Sequence, residues 1–205
     1  MIVMPVYQDV DALDVVGPFE MFRWAEIPVV LVSETPGLIT CNGSVTLVVT
    51  TSFNQAPAGE VLWVPGGHPK ALNQLMKDET YLGFLRAQAA RPQVKWICSV
   101  CEGALLLAAA GLLDGYTVTT HWAFEPCLSQ YPRVTLARGH PRFHLDRNRL
   151  TGGGISAGLD EALQLILLLK GEAVAQSVQQ TTQYYPNPPV TSEIPPATSC
   201  PLDDA

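Results

Sequence analysis

The sequence predicts an α/β fold in which a mostly parallel sheet is covered by helices on both faces. Short apolar runs alternate with helical patterns along most of the chain, which is the order of parallel strands joined by helical crossovers. The 205 residues suffice for one large domain with a substantial core. Hydrophobic residues make up 47% of the chain and charged residues 15%, a composition typical of a compact globular protein.

The first half of the chain contains three strands of this sheet and a separate hairpin. The strands, each a short apolar run, are predicted at 2–6, 28–33 and 61–64. The helices are predicted around 15–25, 69–76 and 78–90. Gly17-Pro18 falls in the first turn of the first helix, where proline is tolerated. Residues 38–50 are predicted to form a hairpin or edge strands with a turn at 41–44.

The second half continues the alternation and ends in a tail. Further strands are predicted at 94–98, 116–119, 133–137 and 142–151. Helices are predicted at 104–110, shortly after Trp122, and from about 157 to 182. The domain is predicted to span residues 1–185. Residues 186–205, rich in Pro, Ser and Thr, are predicted to be an extended or disordered tail, part of which packs along the surface in one alternative.

The most informative segment joins the predicted strand at 94–98 to the predicted helix at 104–110. Cys101 stands there in a sharp strand-to-helix turn, and Gly103 leaves room for the turn to close. This is the geometry of a nucleophile elbow with sulfur in place of the serine oxygen. The N-terminus of the helix would favour the thiolate over the thiol. The alternative is a buried structural cysteine, since unpaired cysteine is among the most buried residue types.

Other candidate site residues also follow predicted strands, and ligands of open parallel sheets bind at the carboxyl ends of strands. Asp14 follows the first strand, Gly66 and Gly67 end a central strand, and His121 follows a later one. The glycine pair, with the N–H of the residue after Cys101, would form an oxyanion-type hole beside the sulfur. A plain strand-exit turn is the alternative for these glycines.

Three side chains each have a structural and a functional interpretation. Asp14 is either an N-cap or a carboxyl group near the sulfur that moves a proton or positions water. His121 is either an orienting partner of the thiolate or a structural histidine stacked with Trp122. Glu102 begins the helix after the cysteine, so it is either a second acid facing the pocket or a cap.

The cysteine pattern favours neither disulfides nor metal. The chain has five cysteines, an odd number, and their spacing is not that of a disulfide framework. We therefore expect no disulfide scaffold and a location in the reducing cytoplasm. Cys98 and Cys101 form a Cys-x-x-Cys motif, but Cys98 falls within a predicted strand, which favours a buried side chain over disulfide exchange. Cys41, Cys127 and Cys200 lack His or acidic companions at ligand spacing, so no metal site is expected.

Charge and hydropathy exclude several classes of partner. The formal net charge is −7 at pH 7, whereas nucleic-acid-binding proteins usually carry a basic face. The chain starts directly on an apolar strand with no basic segment before it, so no signal peptide is expected. The leucine-rich run at 162–169 is far shorter than a membrane span. We therefore expect a cytoplasmic protein that binds neither nucleic acid nor membrane.

Several short motifs follow one another in a characteristic order. They are Leu13-Asp14-Val15-Val16-Gly17-Pro18, Pro65-Gly66-Gly67, Ser99-Val100-Cys101, Ala109-Ala110-Gly111-Leu112-Leu113, Thr119-Thr120-His121-Trp122 and Thr151-Gly152-Gly153-Gly154-Ile155. In this order the chain, to about residue 182, resembles the DJ-1/PfpI superfamily. More narrowly, it is similar to isonitrile hydratases and to the amidase-like domain of certain AraC-type regulators. The resemblance implies a flavodoxin-like three-layer sandwich, of the class I glutamine amidotransferase-like type.

The resemblance also implies roles for individual residues. Cys101 matches the catalytic cysteine of the superfamily, and Asp14 matches the acidic residue beside it. Gly67 and Glu102 would supply backbone donors, and His121 matches a histidine near the sulfur in the wider superfamily. Isonitrile hydratases carry threonine after the cysteine, where this chain has Glu102. A longer acidic side chain therefore stands at the mouth of the pocket.

The leading hypothesis is a cysteine-dependent hydratase that adds water to an isonitrile, R–N≡C, and yields an N-substituted formamide. The Cys101 thiolate would attack the terminal carbon to give a thioimidate, while Asp14 manages the proton. The substrate is a small molecule, no cofactor is needed, and a homodimer is expected from the superfamily. One alternative is glyoxalase-like or amide-hydrolysing chemistry with Glu102 as a further acid. Another is a redox-sensing or ligand-binding module in which Cys101 is oxidised.

Overall fold

The computed structural model describes residues 1–204, and Ala205, the last residue of the predicted tail, lies outside the described residues. The strands are β1 (Ile2–Pro5), β2 (Val29–Ser33), β3 (Gly37–Thr40), β4 (Thr46–Val49), β5 (Thr51–Ser52), β6 (Val61–Val64), β7 (Trp96–Ser99), β8 (Thr117–Val118), β9 (Thr135–Leu136), β10 (Phe143–Asp146) and β11 (Arg149–Gly152). The helices are α1 (Ala12–Trp24), α2 (Pro69–Leu75), α3 (Glu79–Ala89), α4 (Gly103–Ala109), α5 (Ala157–Lys170) and α6 (Glu172–Thr181). Short 3-10 helices lie at Phe53–Gln55, Trp122–Gln130 and Pro201–Asp204.

A seven-stranded sheet forms the centre of the molecule and confirms the predicted α/β class. Its strand order is β10-β11-β7-β6-β1-β2-β5, and every neighbouring pair is parallel except β10 with β11. Helices α1, α5 and α6 pack against one another as one group, and α2, α3 and α4 pack as another. The arrangement is that of a flavodoxin-like fold. No helix among residues 1–204 combines the length and the apolarity needed to cross a membrane.

The central strands are the most apolar, because they have helices on both sides and neighbours at both edges. β1 and β6 are buried at every position. A parallel strand covered on both faces is expected to be a continuous apolar run rather than an alternating one. Trp63 on β6 is the largest fully buried side chain, and its ring packs edge-on against Phe22 of α1. This packing fixes α1, which carries Asp14, against the middle of the sheet.

Three of the predicted elements differ from those observed. The first helix begins at Ala12, so Pro18 lies inside α1 instead of in its first turn. The long helix predicted to about 182 is two helices, because Gly171 adopts a φ of +86° and ends α5. The single strand predicted at 142–151 is the antiparallel hairpin of β10 and β11, which turns at Arg147 with a φ of +53°.

The C-terminal segment has neither helix nor strand over residues 186–199, and its end is attached to the domain. Cys200 forms a disulfide with Cys127, and Cys41, Cys98 and Cys101 are free thiols. The expectation that the cysteines form no disulfide is therefore wrong for this pair, whose 73-residue separation gives no local sequence signal. The side-chain amide of Asn73 also donates a 2.9 Å hydrogen bond to the carbonyl of Leu202, and Leu202 is buried.

Candidate active site

The chain makes the predicted sharp turn at Cys101. Strand β7 ends at Ser99, helix α4 begins at Gly103, and Cys101 between them has a φ of +57°. That left-handed conformation is rare for a residue with a side chain and is characteristic of a nucleophile elbow. A Cβ at Gly103 would collide with the carbonyl group of Val64 on β6. Glycine is therefore required for α4 to start this close to the sheet.

The backbone of Cys101 is held by two neighbouring segments. Its N–H donates to the carbonyl of Gly153 at 2.9 Å, and its carbonyl accepts from the hydroxyl of Thr120 at 2.8 Å. The N–H of Ile155 is directed at its sulfur. The sequence singled out the motifs containing these residues but gave no reason to place Thr120 or Ile155 in contact with the cysteine.

The sulfur is covered in this conformation, with 0% of Cys101 exposed. Burial raises the pKa of its thiol well above the ordinary value, and the carboxyl groups of Asp14 and Glu102 raise it further. The expectation of an ionised sulfur at a helix N-terminus is therefore wrong. The effect of the seven-residue helix α4 is outweighed by desolvation and by two neighbouring acids. The resting group is a neutral thiol.

Asp14 lies beside the sulfur, in the first turn of α1. Asp11 occupies the N-cap position one turn earlier, without a side-chain capping bond, so Asp14 is not the N-cap. Its Oδ2 accepts a 2.9 Å hydrogen bond from the N–H of Gly66, and its Oδ1 has no hydrogen-bond partner. Burial raises the pKa of Asp14 well above the ordinary value, and the charges of Glu102 and Asp11 add to this. Burial thus favours the protonated form of Asp14, which lies in contact with the Cys101 thiol.

The predicted oxyanion hole is not an open pair of donors. The N–H of Gly66 is used by Asp14, and the carboxyl group of Glu102 lies against Gly66 and faces the N–H groups of Gly67 and of Glu102 itself. Glu102 is buried and does not cap α4. Burial raises its pKa to about 7, although its contacts with Cys101 and these N–H groups lower it. A carboxyl group therefore stands where an oxyanion was expected.

His121 follows β8, which pairs with β9 in a small separate sheet and not with the central strands. Its Nδ1 accepts a 3.2 Å hydrogen bond from the N–H of Ala123 and so caps the 3-10 helix at Trp122–Gln130. The ring contacts Trp122 and packs edge-on against Phe124. Burial lowers the pKa of His121. These contacts place a neutral, structurally engaged imidazole at the edge of the site.

A cavity of about 360 Å³ lies next to this histidine. Its walls are formed by the region around His121, the loop after β11, and the C-terminal segment. The residues that line the cavity include Trp122, Arg142, Gly154, Ile155 and Ile194. Gly154 is packed so closely against the ring of His121 that a Cβ there would collide with it. The cavity therefore adjoins the segment that touches the sulfur.

A further carboxyl group, which the sequence did not suggest, is buried beneath the site. Glu161 on α5 has 0% exposure, and neither of its carboxyl oxygens has a hydrogen-bond partner. It packs against Gly152, and the Ser99 backbone is its closest polar neighbour. Burial raises the pKa of Glu161 well above the ordinary value, and the charge of Asp14 adds to this. The Leu-rich sequence around it predicts only a buried helix face.

Asp11, Asp14 and Cys101 are the residues best placed to hold a metal ion, since one ligand atom from each lies within 4.8 Å of the others. Metal ligands must be deprotonated, whereas burial keeps both Asp14 and Cys101 in their neutral forms. The donor set is therefore poorly suited to a resident metal. The expected absence of metal and cofactor stays a prediction from the sequence.

The fold and the elbow define a doubly wound α/β protein with a cysteine at the strand-to-helix turn and an acid from the first helix beside it. The family model for the DJ-1/PfpI family matches residues 1–167. The chain belongs to the DJ-1/PfpI family.

Individual relatives agree with this assignment. The chain is 39% identical over 202 residues to an isonitrile hydratase from Pseudomonas putida, covering 98% of this chain and 86% of that enzyme. It superposes on the crystal structure of a THiJ/PfpI family protein from Pseudomonas syringae with a TM-score of 0.85 and 34% identity, over 92% of this chain and 76% of that one. It is 29% identical to the HTH-type transcriptional regulator GbdR of Pseudomonas aeruginosa, over 80% of this chain and 42% of the regulator.

Proposed function

We propose that this protein hydrates isonitriles to N-substituted formamides, with Cys101 as the nucleophile and Asp14 as the proton carrier. The observation that carries the proposal is the contact between the Cys101 thiol and the Asp14 carboxyl group, both buried at the elbow. The likeness to the Pseudomonas putida isonitrile hydratase over almost the whole chain supports the same substrate class. The substrate is a small uncharged molecule, and neither a metal nor an organic cofactor takes part.

The first step adds the thiol of Cys101 across the terminal carbon of R–N≡C. The S–H bond breaks and an S–C bond forms, and the carbon gains one proton. Asp14 supplies that proton from its O–H and takes the proton leaving the sulfur, so that it ends as it began. The product is the thioimidate Cys–S–CH=N–R. Because thiol and acid both start neutral, no separated charge has to exist in the buried site before the substrate arrives.

The second step regenerates the free enzyme. Water adds to the thioimidate carbon while the imine nitrogen is protonated, and the C–S bond then breaks. The sulfur regains a proton, and R–NH–CHO leaves. The sum of the two steps is one isonitrile and one water converted to one formamide. The carboxyl group of Asp14, whose Oδ1 has no hydrogen-bond partner, gives its proton to the imine nitrogen as it takes one from the water, so that it again ends as it began.

The position of Glu102 favours this reaction over amide hydrolysis. Amide hydrolysis passes through a tetrahedral oxyanion, which needs two free donors beside the nucleophile. Here those N–H groups face the Glu102 carboxyl. Addition to an isonitrile carbon forms no oxyanion in its first step, so the occupied donors are no obstacle. Redox sensing is disfavoured for a different reason, because it requires an exposed sulfur of low pKa, and Cys101 has neither property.

The proposal is tested with cyclohexyl isocyanide, by measuring formation of N-cyclohexylformamide. We expect turnover by the parent protein and a loss of more than about a thousandfold in Cys101→Ala, because the covalent route is removed. Cys41→Ala, which removes another buried free thiol, serves as the matched control and should retain activity. Equal activity in the parent and Cys101→Ala, or no activity in the parent, contradicts the proposal.

We also infer that the protein acts as a homodimer. The β3–β4 hairpin pairs Leu38 with Val48 on one face, and these side chains are 67% and 69% exposed. We take this exposed apolar pair as the candidate contact with a second copy of the chain. Light scattering over a range of concentrations tests the dimer, and Leu38→Lys should shift the mass towards the monomer. A monomeric mass for the parent at all concentrations contradicts it.

A further inference from the structure

The cavity beside His121 and the sulfur of Cys101 share a wall. The segment 153–155 lines the cavity of about 360 Å³ on one side. The same segment contacts Cys101, because the Gly153 carbonyl accepts from the N–H of Cys101, and the Ile155 N–H is directed at the sulfur. A substituent bound in this cavity therefore lies against the segment that touches the nucleophile.

The chemistry of the cavity suits an uncharged group. Its two strongest bases are engaged, because Arg142 pairs with Asp160 and His140 pairs with Glu125. The remaining surface is mainly apolar and aromatic, and its apolar side chains come from Trp122, Pro141, Ile155 and Ile194. A cyclohexyl or similar hydrocarbon group fits such a lining better than an anion does.

Ile194 differs from the rest of this lining because it comes from the C-terminal segment. That segment leaves α6, contributes Ile194 to the cavity wall, and is attached again by the Cys127–Cys200 disulfide. Beyond the disulfide, the Leu202 carbonyl accepts from the side chain of Asn73. Ile194 is 48% exposed, so part of its side chain contacts the cavity and part faces solvent. The segment therefore passes over the site between two fixed ends.

We propose that Ile194 is a specificity-determining residue whose side chain contacts the substituent of the substrate, and that the Cys127–Cys200 disulfide holds it in place. This inference rests on the proposed function and names the part of the substrate that the segment recognises. Cys200 follows Ile194 by six residues, which span at most about 20 Å when fully extended. With the disulfide formed, Ile194 remains over the cavity. When the disulfide is broken, the segment that carries Ile194 loses its nearest covalent attachment to the domain.

The test compares a small and a bulky isonitrile in variants of the segment. Ile194→Ala should raise the KM for cyclohexyl isocyanide about three- to tenfold, because apolar contact is lost, and leave kcat and the KM for methyl isocyanide unchanged. Ile194→Trp should raise the same KM by filling the cavity. Val190→Ala is the matched control, because Val190 lies in the same segment, is 76% exposed and does not line the cavity. Equal changes for both substrates, or no change in either Ile194 variant, overturn the proposal.

The disulfide is tested with the double substitution Cys127→Ser and Cys200→Ser, which leaves no new free thiol. It should produce the same size-selective rise in KM as Ile194→Ala. A double variant with the selectivity of the parent overturns the anchoring role of the disulfide.

A second measurement separates failure of this inference from failure of the proposed function. The dissociation constants of the two products, N-cyclohexylformamide and N-methylformamide, are measured by isothermal titration calorimetry on Cys101→Ala protein, which requires neither turnover nor an exposed sulfur. The preference for the cyclohexyl over the methyl compound should fall about threefold or more in both Ile194 variants and stay constant in Val190→Ala. An unchanged preference, or no binding of either formamide, overturns the role of Ile194 even if isonitriles are hydrated.

Discussion

The two sides of the candidate site are built in different ways. On the acid side, Cys101, Asp14 and Glu102 are all buried. Cys101 and Glu102 lie between β7 and α4, and Asp14 lies in the first turn of α1, the helix that follows β1. On the open side, His121 and Ile194 are partly exposed and come from a 3-10 helix and the C-terminal segment. The first side is positioned by the central sheet, and the second by irregular structure around it.

This difference assigns chemistry and selection to separate parts of the fold. The pairing of Val64 with Ser99 fixes where β6 and β7 end, and thereby sets Gly66 against the elbow. A shift of the acid side would require a change in strand register, whereas the open side changes with one side chain or one loop. Substitutions on the acid side should therefore change kcat, and those on the open side should change KM or stability.

The largest effect is expected for Asp14→Asn. The amide keeps an oxygen that accepts from Gly66 but has no acidic proton to exchange with Cys101. We expect kcat for cyclohexyl isocyanide to fall by about a hundred- to a thousandfold, the usual contribution of a positioned acid–base group. Because Asp14 is neutral in the folded protein, a neutral isostere should leave Tm unchanged or raise it.

Asp9→Asn is the matched control for this substitution. Asp9 precedes α1, is exposed, and has a φ of +65° that asparagine also tolerates. Its kcat should stay within about twofold of the parent, as is usual for exposed positions outside the site. A Tm that falls in Asp14→Asn together with kcat would show that the buried carboxyl is structural, and that the acid side does not carry the chemistry.

The acid side was also the part that the sequence predicted best, though only in outline. The elbow at Cys101 follows from a short apolar strand, a glycine and an apolar helix. Asp14 was placed by its position after the first strand and by the motif resemblance. What the sequence could not supply was protonation, because the pKa of a thiol depends on how many carboxyl groups surround it after folding. It also could not show that the side chain of Glu102 turns back onto the backbone donors, since that is a choice of rotamer.

The open side was predicted less well, for reasons of sequence distance. The Cys127–Cys200 pair spans 73 residues, and Ile194 lies in a Pro-rich segment without periodicity. The strand before His121 has the composition of a sheet strand, yet β8 pairs with β9 outside the central sheet. Non-local contacts decide each of these features. The local sequence pattern indicates which residues are buried and where the chain turns. It does not indicate which distant segment pairs with a given strand or cysteine.

Glu102→Gln is expected to have an intermediate effect, which appears in the pH dependence of activity. Ionised Glu102 places a negative charge beside the sulfur, so the parent should lose activity as the pH rises through about 7, by up to about tenfold. The glutamine variant should show no inflection there. Measurement of kcat/KM from pH 5.5 to 8.5 checks this, and the same inflection in both proteins would contradict it.

Glu102→Gln should also change the pH dependence of stability. Folding raises the pKa of Glu102, so the stabilisation of its neutral form is complete below the ordinary value and is lost as the pH rises through about 7. The parent should therefore lose up to about 3 kcal/mol of unfolding free energy between pH 4.5 and 7 relative to the glutamine variant. Glu34→Gln, at an exposed glutamate, should follow the parent curve. Urea unfolding at pH 5 and pH 8 distinguishes the three proteins.

The smallest effect is expected for His121→Asn, and it decides which side of the site this residue belongs to. Asparagine can still cap the 3-10 helix through its side-chain oxygen, but it has no ring to assist the sulfur. We expect kcat to stay within about threefold of the parent, because the Nδ1 of His121 is engaged with Ala123.

His121→Ala should cost about 1 kcal/mol of stability through loss of the cap. His68→Ala, which removes a histidine that caps α2 in the same way, should cost a similar amount without changing kinetics. A drop in kcat of a hundredfold or more in His121→Asn would assign the imidazole to the chemistry and end the division between the two sides.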